Sequence, residues 1–85
     1  MGATPAELMI EYMKKTVLGN AQAEIAEETP LVSSGMVDSF ALIDVLLYLE
    51  KVTNRKISPG KVSPRDMDTV KLMLETAERV GKARN

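Results

Sequence analysis

Of the side chains able to make or break covalent bonds, this chain offers hydroxyls, carboxylates and amines only, because it contains neither histidine nor cysteine. That removes the commonest general base, the commonest transition-metal ligand, every Ser-His or Cys-His pairing, disulfides and thiolate metal sites. An autonomous enzyme is therefore not expected, and no resident metal is expected either. A chain of 85 residues would also struggle to build a deep, water-excluding cleft around an acid and a base. What stands out instead is Asp38-Ser39, placed immediately before an apolar run that opens with Phe40. Either side chain can accept a hydrogen bond from the free N–H groups of a helix starting there. Taken alone, such a pair is in most sequences a helix cap and nothing more. Ser33 and Ser34 are poorer candidates for chemistry, since they sit inside a small-residue turn with Gly35 where hydroxyls bond to nearby backbone.

The elements that must position Asp38 and Ser39 read as helices. Thr4-Pro5-Ala6-Glu7 has the form of a capping box with proline at the first helical position. Met9, Ile10, Met13 and Val17 follow at helical spacing, with Leu8 and Tyr12 beside them, and Gly19-Asn20 ends the pattern. This predicts a first helix from Pro5 to Leu18. From Asn20 to Asp38 no period is sustained, and Pro30, Ser33, Ser34 and Gly35 mark a loop whose expected apolar anchors are Leu31, Val32 and Met36. Loops of this length are usually functional or else disordered, and the anchors argue for order.

A second helix is predicted from Ser39 to about Thr53. Helical spacing puts Leu42, Val45, Leu46, Leu49 and Val52 on one broad face and gathers Phe40, Ile43 and Leu47 almost opposite. One face must be core; the other either faces more core or stays available to a partner. Asn54-Arg55-Lys56 breaks the helix, Ile57-Ser58-Pro59-Gly60 reads as a turn with an apolar anchor, and Ser63-Pro64-Arg65-Asp66 can open one short helical turn. Asp68 or Thr69 then caps a last helix built on Val70, Met73, Leu74, Ala77 and Val80 and ended by Gly81, with a frayed tail from Lys82 to Asn85. The expected fold is all-α: one domain over residues 1–85, ordered from about 4 to 80, forming a small up-and-down bundle of three main helices plus one short helix. Six methionines suggest an adaptable core, with gap filling as the plainer reading.

Charge is uneven along the chain. Residues 1–50 hold eight carboxylates against Lys14 and Lys15, whereas residues 51–85 hold nine bases against Asp66, Asp68, Glu75 and Glu78. Such polarity can steer a partner to one end, or it can reflect ordinary solvated helix faces. It is not a nucleic-acid footprint, because the bases are scattered and only Tyr12, Phe40 and Tyr48 supply rings. Met1-Gly2-Ala3-Thr4-Pro5 lacks the basic and apolar regions of a secretory signal, and no apolar stretch could span a bilayer, so a cytoplasmic protein is expected. Pro5 and Ala6 fit poorly with acylation at Gly2, and an ordinary disordered start is expected there.

The segment Leu31-Val32-Ser33-Ser34-Gly35-Met36-Val37-Asp38-Ser39-Phe40 resembles the acyl carrier protein family, whose members join a hydrophobic anchor, a small-residue turn with Gly, two apolar residues and Asp-Ser-Leu. Phe40 takes the last place here, as it does in some discrete carriers similar to the D-alanyl carrier proteins. The likeness runs from the first helix to Val80, with most of its specificity in residues 31–53. Ser63-Pro64-Arg65-Asp66-Met67-Asp68-Thr69-Val70 also looks like the third-helix signature of several discrete carriers.

The resemblance implies an acyl-carrier-protein-like bundle whose Ser39 receives 4'-phosphopantetheine from coenzyme A through a separate phosphopantetheinyl transferase. Asp38 would help position magnesium during that modification. The thiol of the arm would hold an acyl or aminoacyl group as a thioester for a ligase and downstream synthase or transferase enzymes of fatty acid, polyketide or related pathways. The physics is compatible, since a phosphodiester at a helix start meets unpaired N–H groups and the positive end of the dipole. Phe40, Ile43, Asp44 and Leu47 form the expected partner-binding surface, with Glu50 adding charge. Lys51, Arg55 and Lys56 depart from the heavily acidic second helix of fatty-acid carriers and point to a dedicated pathway with its own ligase. Thr53 stands where many relatives have a large apolar residue, and Val52, Ile57 and Met67 are expected to fill the gap. A monomer is expected, without nucleic acid or membrane as partner. Two rival readings explain less: an interaction module without a prosthetic group accounts only for the two apolar faces, and a nucleic-acid binder using Arg55, Lys56, Lys61 and Arg65 only for the basic second half.

Overall fold

The computed structural model describes residues 3–83, so the readings made for Met1, Gly2, Arg84 and Asn85 lie outside the described residues. The chain is mostly helical. Helix α1, Pro5–Tyr12, starts on the capping box: the Thr4 hydroxyl accepts the Glu7 N–H at 3.2 Å and the Glu7 carboxylate accepts the Thr4 N–H at 2.9 Å. The Thr4 N–H, followed by the Thr4 hydroxyl, holds the Glu7 carboxyl below its ordinary range. The helix does not run on as α to Leu18. Met13–Val17 is a π-helical turn, with the Leu18 N–H donating to the Met13 carbonyl five residues back. The wider turn lets Val17 and Leu18 both pack on the core, and Gly19 then leaves with φ +65°.

Helix α2, Ala41–Thr53, buries Val45, Leu46 and Leu49, with Leu42 and Val52 packed beside them. Its regular span opens two residues later than the sequence suggests, although Phe40 already has helical φ and ψ of −69° and −40°. Asn54, with φ +53°, caps it in the left-handed conformation and reverses the chain. Helix α3, Val70–Val80, is capped by Thr69, whose hydroxyl accepts the Leu72 N–H at 3.0 Å. Each helix contacts the other two, and the shared core also takes in Met9, Met13, Leu31, Val37, Ile57, Met67, Val70, Met73 and Ala77. Four of these are methionines, including Met9 and Met13, the two buried residues of α1 and its π-helical extension.

Between α2 and α3 lie two 3-10 turns, Pro59–Lys61 and Pro64–Met67. The second has its own capping box, in which Ser63 and Asp66 exchange bonds and Asp66 is held below its ordinary range by the Ser63 N–H. The tail is not frayed throughout. Arg55–Lys56 forms strand β1 and pairs antiparallel with β2, Lys82–Ala83, a ladder that helical periodicity gave no reason to expect. Gly81 makes it possible: a Cβ there would collide with the Ala77 carbonyl oxygen and crowd the Arg55 side chain at 3.1 Å. The Arg55 guanidinium donates to the Gly81 carbonyl at 3.3 Å, which fixes the crossing.

No helix among the described residues is long and apolar enough to cross a membrane.

Candidate functional site

The long loop is ordered because it is bonded to the start of α3. The Leu31 N–H reaches the Asp68 carbonyl at 2.7 Å, and the Lys71 N–H of α3 donates to the Glu27 carbonyl at 3.0 Å. The Asp68 carboxylate does more. One oxygen accepts the N–H groups of Leu31, Val32 and Ser33 at 3.2, 2.8 and 2.8 Å, and the other accepts the Ser33 hydroxyl at 2.8 Å. Bonding to the charged form, led by the Ser33 N–H, holds the Asp68 carboxyl below its ordinary range. The sequence admitted Asp68 only as a possible helix cap. The available signal was redundancy: with Thr69 already able to cap α3, a neighbouring acid was free for another task.

From this clamp the chain makes a tight turn. Gly35, with φ +83°, donates to the Val32 carbonyl at 3.0 Å, and the Ser34 hydroxyl donates to the Pro30 carbonyl at 2.7 Å. Ser34 thus bonds to nearby backbone as its setting suggested, whereas the Ser33 hydroxyl goes instead to the distant Asp68 carboxylate. The Val37 N–H then returns to the Leu31 carbonyl at 2.9 Å. That closure corrects one expected anchor: Val37 is buried beside Leu31, Val32 is half-buried, and Met36 is left 42% exposed.

Asp38 and Ser39 follow, both exposed, in the turn that leads into α2. Asp38 is the residue that caps, its carboxylate accepting the Ala41 N–H at 2.9 Å. Ser39 is left with a hydroxyl that has no hydrogen-bond partner among the described residues. It stands on the rim of an open hollow of about 150 Å3 walled by Leu42, Ile43, Leu46, Val62 and Met67. A volume of that order accommodates a group of roughly benzene size.

The second face of α2 is uncovered. Phe40 is 84% exposed, Ile43 64% and Leu47 59%, and Asp44 is exposed among them. Glu50 does not add charge to this face. It is 9% exposed and turned inward, where its carboxylate accepts the Ile57 N–H at 2.7 Å. The chain after the αL turn brings that donor back under the end of α2, and a buried N–H needs a partner. Thr53 likewise fills no apolar role; its hydroxyl donates to the Leu49 carbonyl at 2.7 Å, while Ile57 and Met67 are buried nearby in the same core. Along the flank, Tyr12 stacks on Tyr48 with centroids 4.1 Å apart, and burial, followed by the Asp44 charge, pushes the Tyr12 phenol up.

A larger cavity, about 450 Å3, lies between the start of α1, the end of α2 and α3, and includes none of Asp38, Ser39, Phe40, Ile43, Asp44 or Leu47. No group of three or more acids that could hold a metal ion occurs among the described residues. No protein-family model matches the chain, and no curated protein matches it significantly in sequence.

Proposed function

We propose that this chain is a carrier, holding an acyl or aminoacyl group on a 4'-phosphopantetheine arm esterified to Ser39 and presenting it to other enzymes. The observation that carries the reading is the state of that hydroxyl: exposed, without a hydrogen-bond partner among the described residues, and set at the mouth of a helix beside an apolar hollow. The resemblance of residues 31–53 to acyl carrier proteins points to the same atom. The order of long anchored loop, α2, short turn and α3 is compatible with an acyl-carrier-like bundle.

The residues present suit the group. The Ser39 oxygen would replace the nucleotide on the pantetheine phosphate, losing its proton to the transferase. The resulting phosphodiester would lie against the N-terminal turn of α2, where backbone dipoles favour an anion. When attached, the arm supplies the thiol that this cysteine-free chain lacks. Asp38, engaged by one oxygen on Ala41, keeps a second oxygen for the magnesium of the modification reaction. Phe40, Ile43 and Leu47 lie beside Ser39 and offer the partner enzyme an apolar face, with Asp44 as its charged neighbour. The chain itself carries and does not catalyse.

Incubation with a broad-specificity phosphopantetheinyl transferase, coenzyme A and magnesium should raise the intact mass by one phosphopantetheine, and Ser39→Ala should abolish the rise. A wild-type chain left unmodified by several such transferases would replace this reading with a second, that of an interaction module without a prosthetic group. The exposed Phe40, Ile43 and Leu47 face favours that alternative by itself.

A further inference from the structure

The pairing of β1 with β2 breaks a local rule. In its register Lys56 lies directly opposite Lys82, and like charges in that position weaken a ladder. A ladder of two residues has few bonds of its own, and the Arg55 bond to the Gly81 carbonyl supplements them. A third lysine joins Lys56 and Lys82: Lys61 closes the 3-10 turn that follows β1 and lines, with both of them, Ser58 and Val80, the same cavity of about 250 Å3. No carboxylate lines this cavity, and among the described residues none of the three lysines is held in an ion pair. Lys15 pairs with Glu11 and Arg79 with Asp66, while Lys14, Lys51, Arg55, Arg65 and Lys71 also lie outside any ion pair among the described residues, so it is the gathering of three lysines around one cavity that sets this site apart.

We infer that this cavity binds a small multivalent phosphoryl anion, of the inorganic diphosphate or nucleotide diphosphate class. Lysine ammoniums are compact point charges that suit phosphate oxygens approaching from several directions, and the Ser58 hydroxyl adds a neutral donor. The three lysines come from three separate pieces of backbone, β1, the 3-10 turn and β2. Converging them costs mutual repulsion, which a bound anion removes. Local rules are most often broken where a site is built. The site uses none of the residues around Ser39 and stands or falls independently of the carrier reading.

The test is an amide NMR titration of the full chain with inorganic diphosphate at constant ionic strength. Saturable shifts should concentrate on residues 56–61 and 80–83, and the Lys56→Gln, Lys82→Gln double variant should weaken binding at least roughly tenfold. The Lys14→Gln, Lys15→Gln double variant should leave it unchanged. ADP and vesicles containing phosphatidic acid form two further arms. Saturation by diphosphate or ADP assigns a free phosphoryl ligand, and saturation by vesicles alone assigns a lipid headgroup, both through the same ammonium cluster. Shifts that grow without saturating in every arm, that spread equally to Lys14, Lys15, Lys51 and Lys71, or that survive in the Lys56, Lys82 variant would overturn the assignment.

Discussion

Two of the chain's aspartate–serine pairs, Asp68 with Ser33 and Asp38 with Ser39, are treated oppositely. Asp68 and Ser33 are far apart in sequence yet bonded to one another, with three backbone N–H groups sharing the same carboxylate oxygen. Asp38 and Ser39 are adjacent, yet Asp38 spends one bond on Ala41 and Ser39 spends none among the described residues. The first pair holds the fold, so its hydroxyl is unavailable for chemistry. The second is held in place by that fold, which leaves its hydroxyl exposed and without a hydrogen-bond partner among the described residues. Position at a helix start does not separate the two; the saturation of their hydrogen bonds does.

The sharpest way to break this contrast is Asp68→Ala. Removing the carboxylate strands the Val32 N–H and both donors of Ser33, leaves Leu31 only its bond to the Asp68 carbonyl, and loosens the loop that delivers Asp38 and Ser39. A loss of about 2–3 kcal/mol is expected in urea unfolding, equivalent to a fall in Tm of roughly 10–20 °C for a domain of this size. A loss under about 0.5 kcal/mol would mean that water replaces the clamp and that the two pairs are energetically alike.

Acid sharpens the same point. Asp68 has its folded pKa lowered, so its contribution is complete above about pH 4, the unfolded carboxylate value, and is lost as pH falls through the depressed folded value. Glu7, Glu11 and Asp66 are shifted in the same direction and add to the acid response. The comparison must therefore be differential: stability curves of wild type and Asp68→Asn should separate above about pH 4 and converge as pH falls through the lowered folded value. Parallel curves across that range would remove Asp68 from the acid response.

What the sequence could reveal follows from range. The α1 capping box, the core face of α2 and the Pro64 turn are set by residues three or four apart, and each formed where spacing put it. The uncovered face of Phe40, Ile43 and Leu47 was legible for the same reason. The Asp68 clamp, the Lys56–Lys82 pairing and the Ile57 bond to Glu50 join segments that no helical period relates. Glu50 is instructive, since its spacing from Leu46 already placed it on the buried face and only its charge argued otherwise. The charge is accommodated because a backbone donor from beyond the αL turn meets it. The π turn at Met13–Val17 was invisible because both helix types satisfy the same apolar spacing over so few residues.

Two smaller substitutions extend the contrast. Ser33→Ala removes one hydroxyl bond to Asp68 but leaves the backbone donors, and about 1 kcal/mol is expected. Asp38→Ala removes the cap of α2 at a similar cost, about 1 kcal/mol, and should raise hydrogen exchange at the Ala41 amide without disturbing the amides of Leu31 to Ser33. Exchange rising equally at both places would show that loop and helix start open as one unit.

The smallest expected effect is the most discriminating. Ser39→Ala deletes an exposed hydroxyl with no partner among the described residues, in a turn that alanine can adopt, so unfolding should stay within about 0.5 kcal/mol of wild type. A residue placed there for stability would not be so cheap to lose, and a cap would cost about twice as much. If Ser39→Ala instead destabilises the chain by about 1 kcal/mol or more, the hydroxyl is structural like that of Ser33, and its freedom can no longer be taken as readiness for esterification.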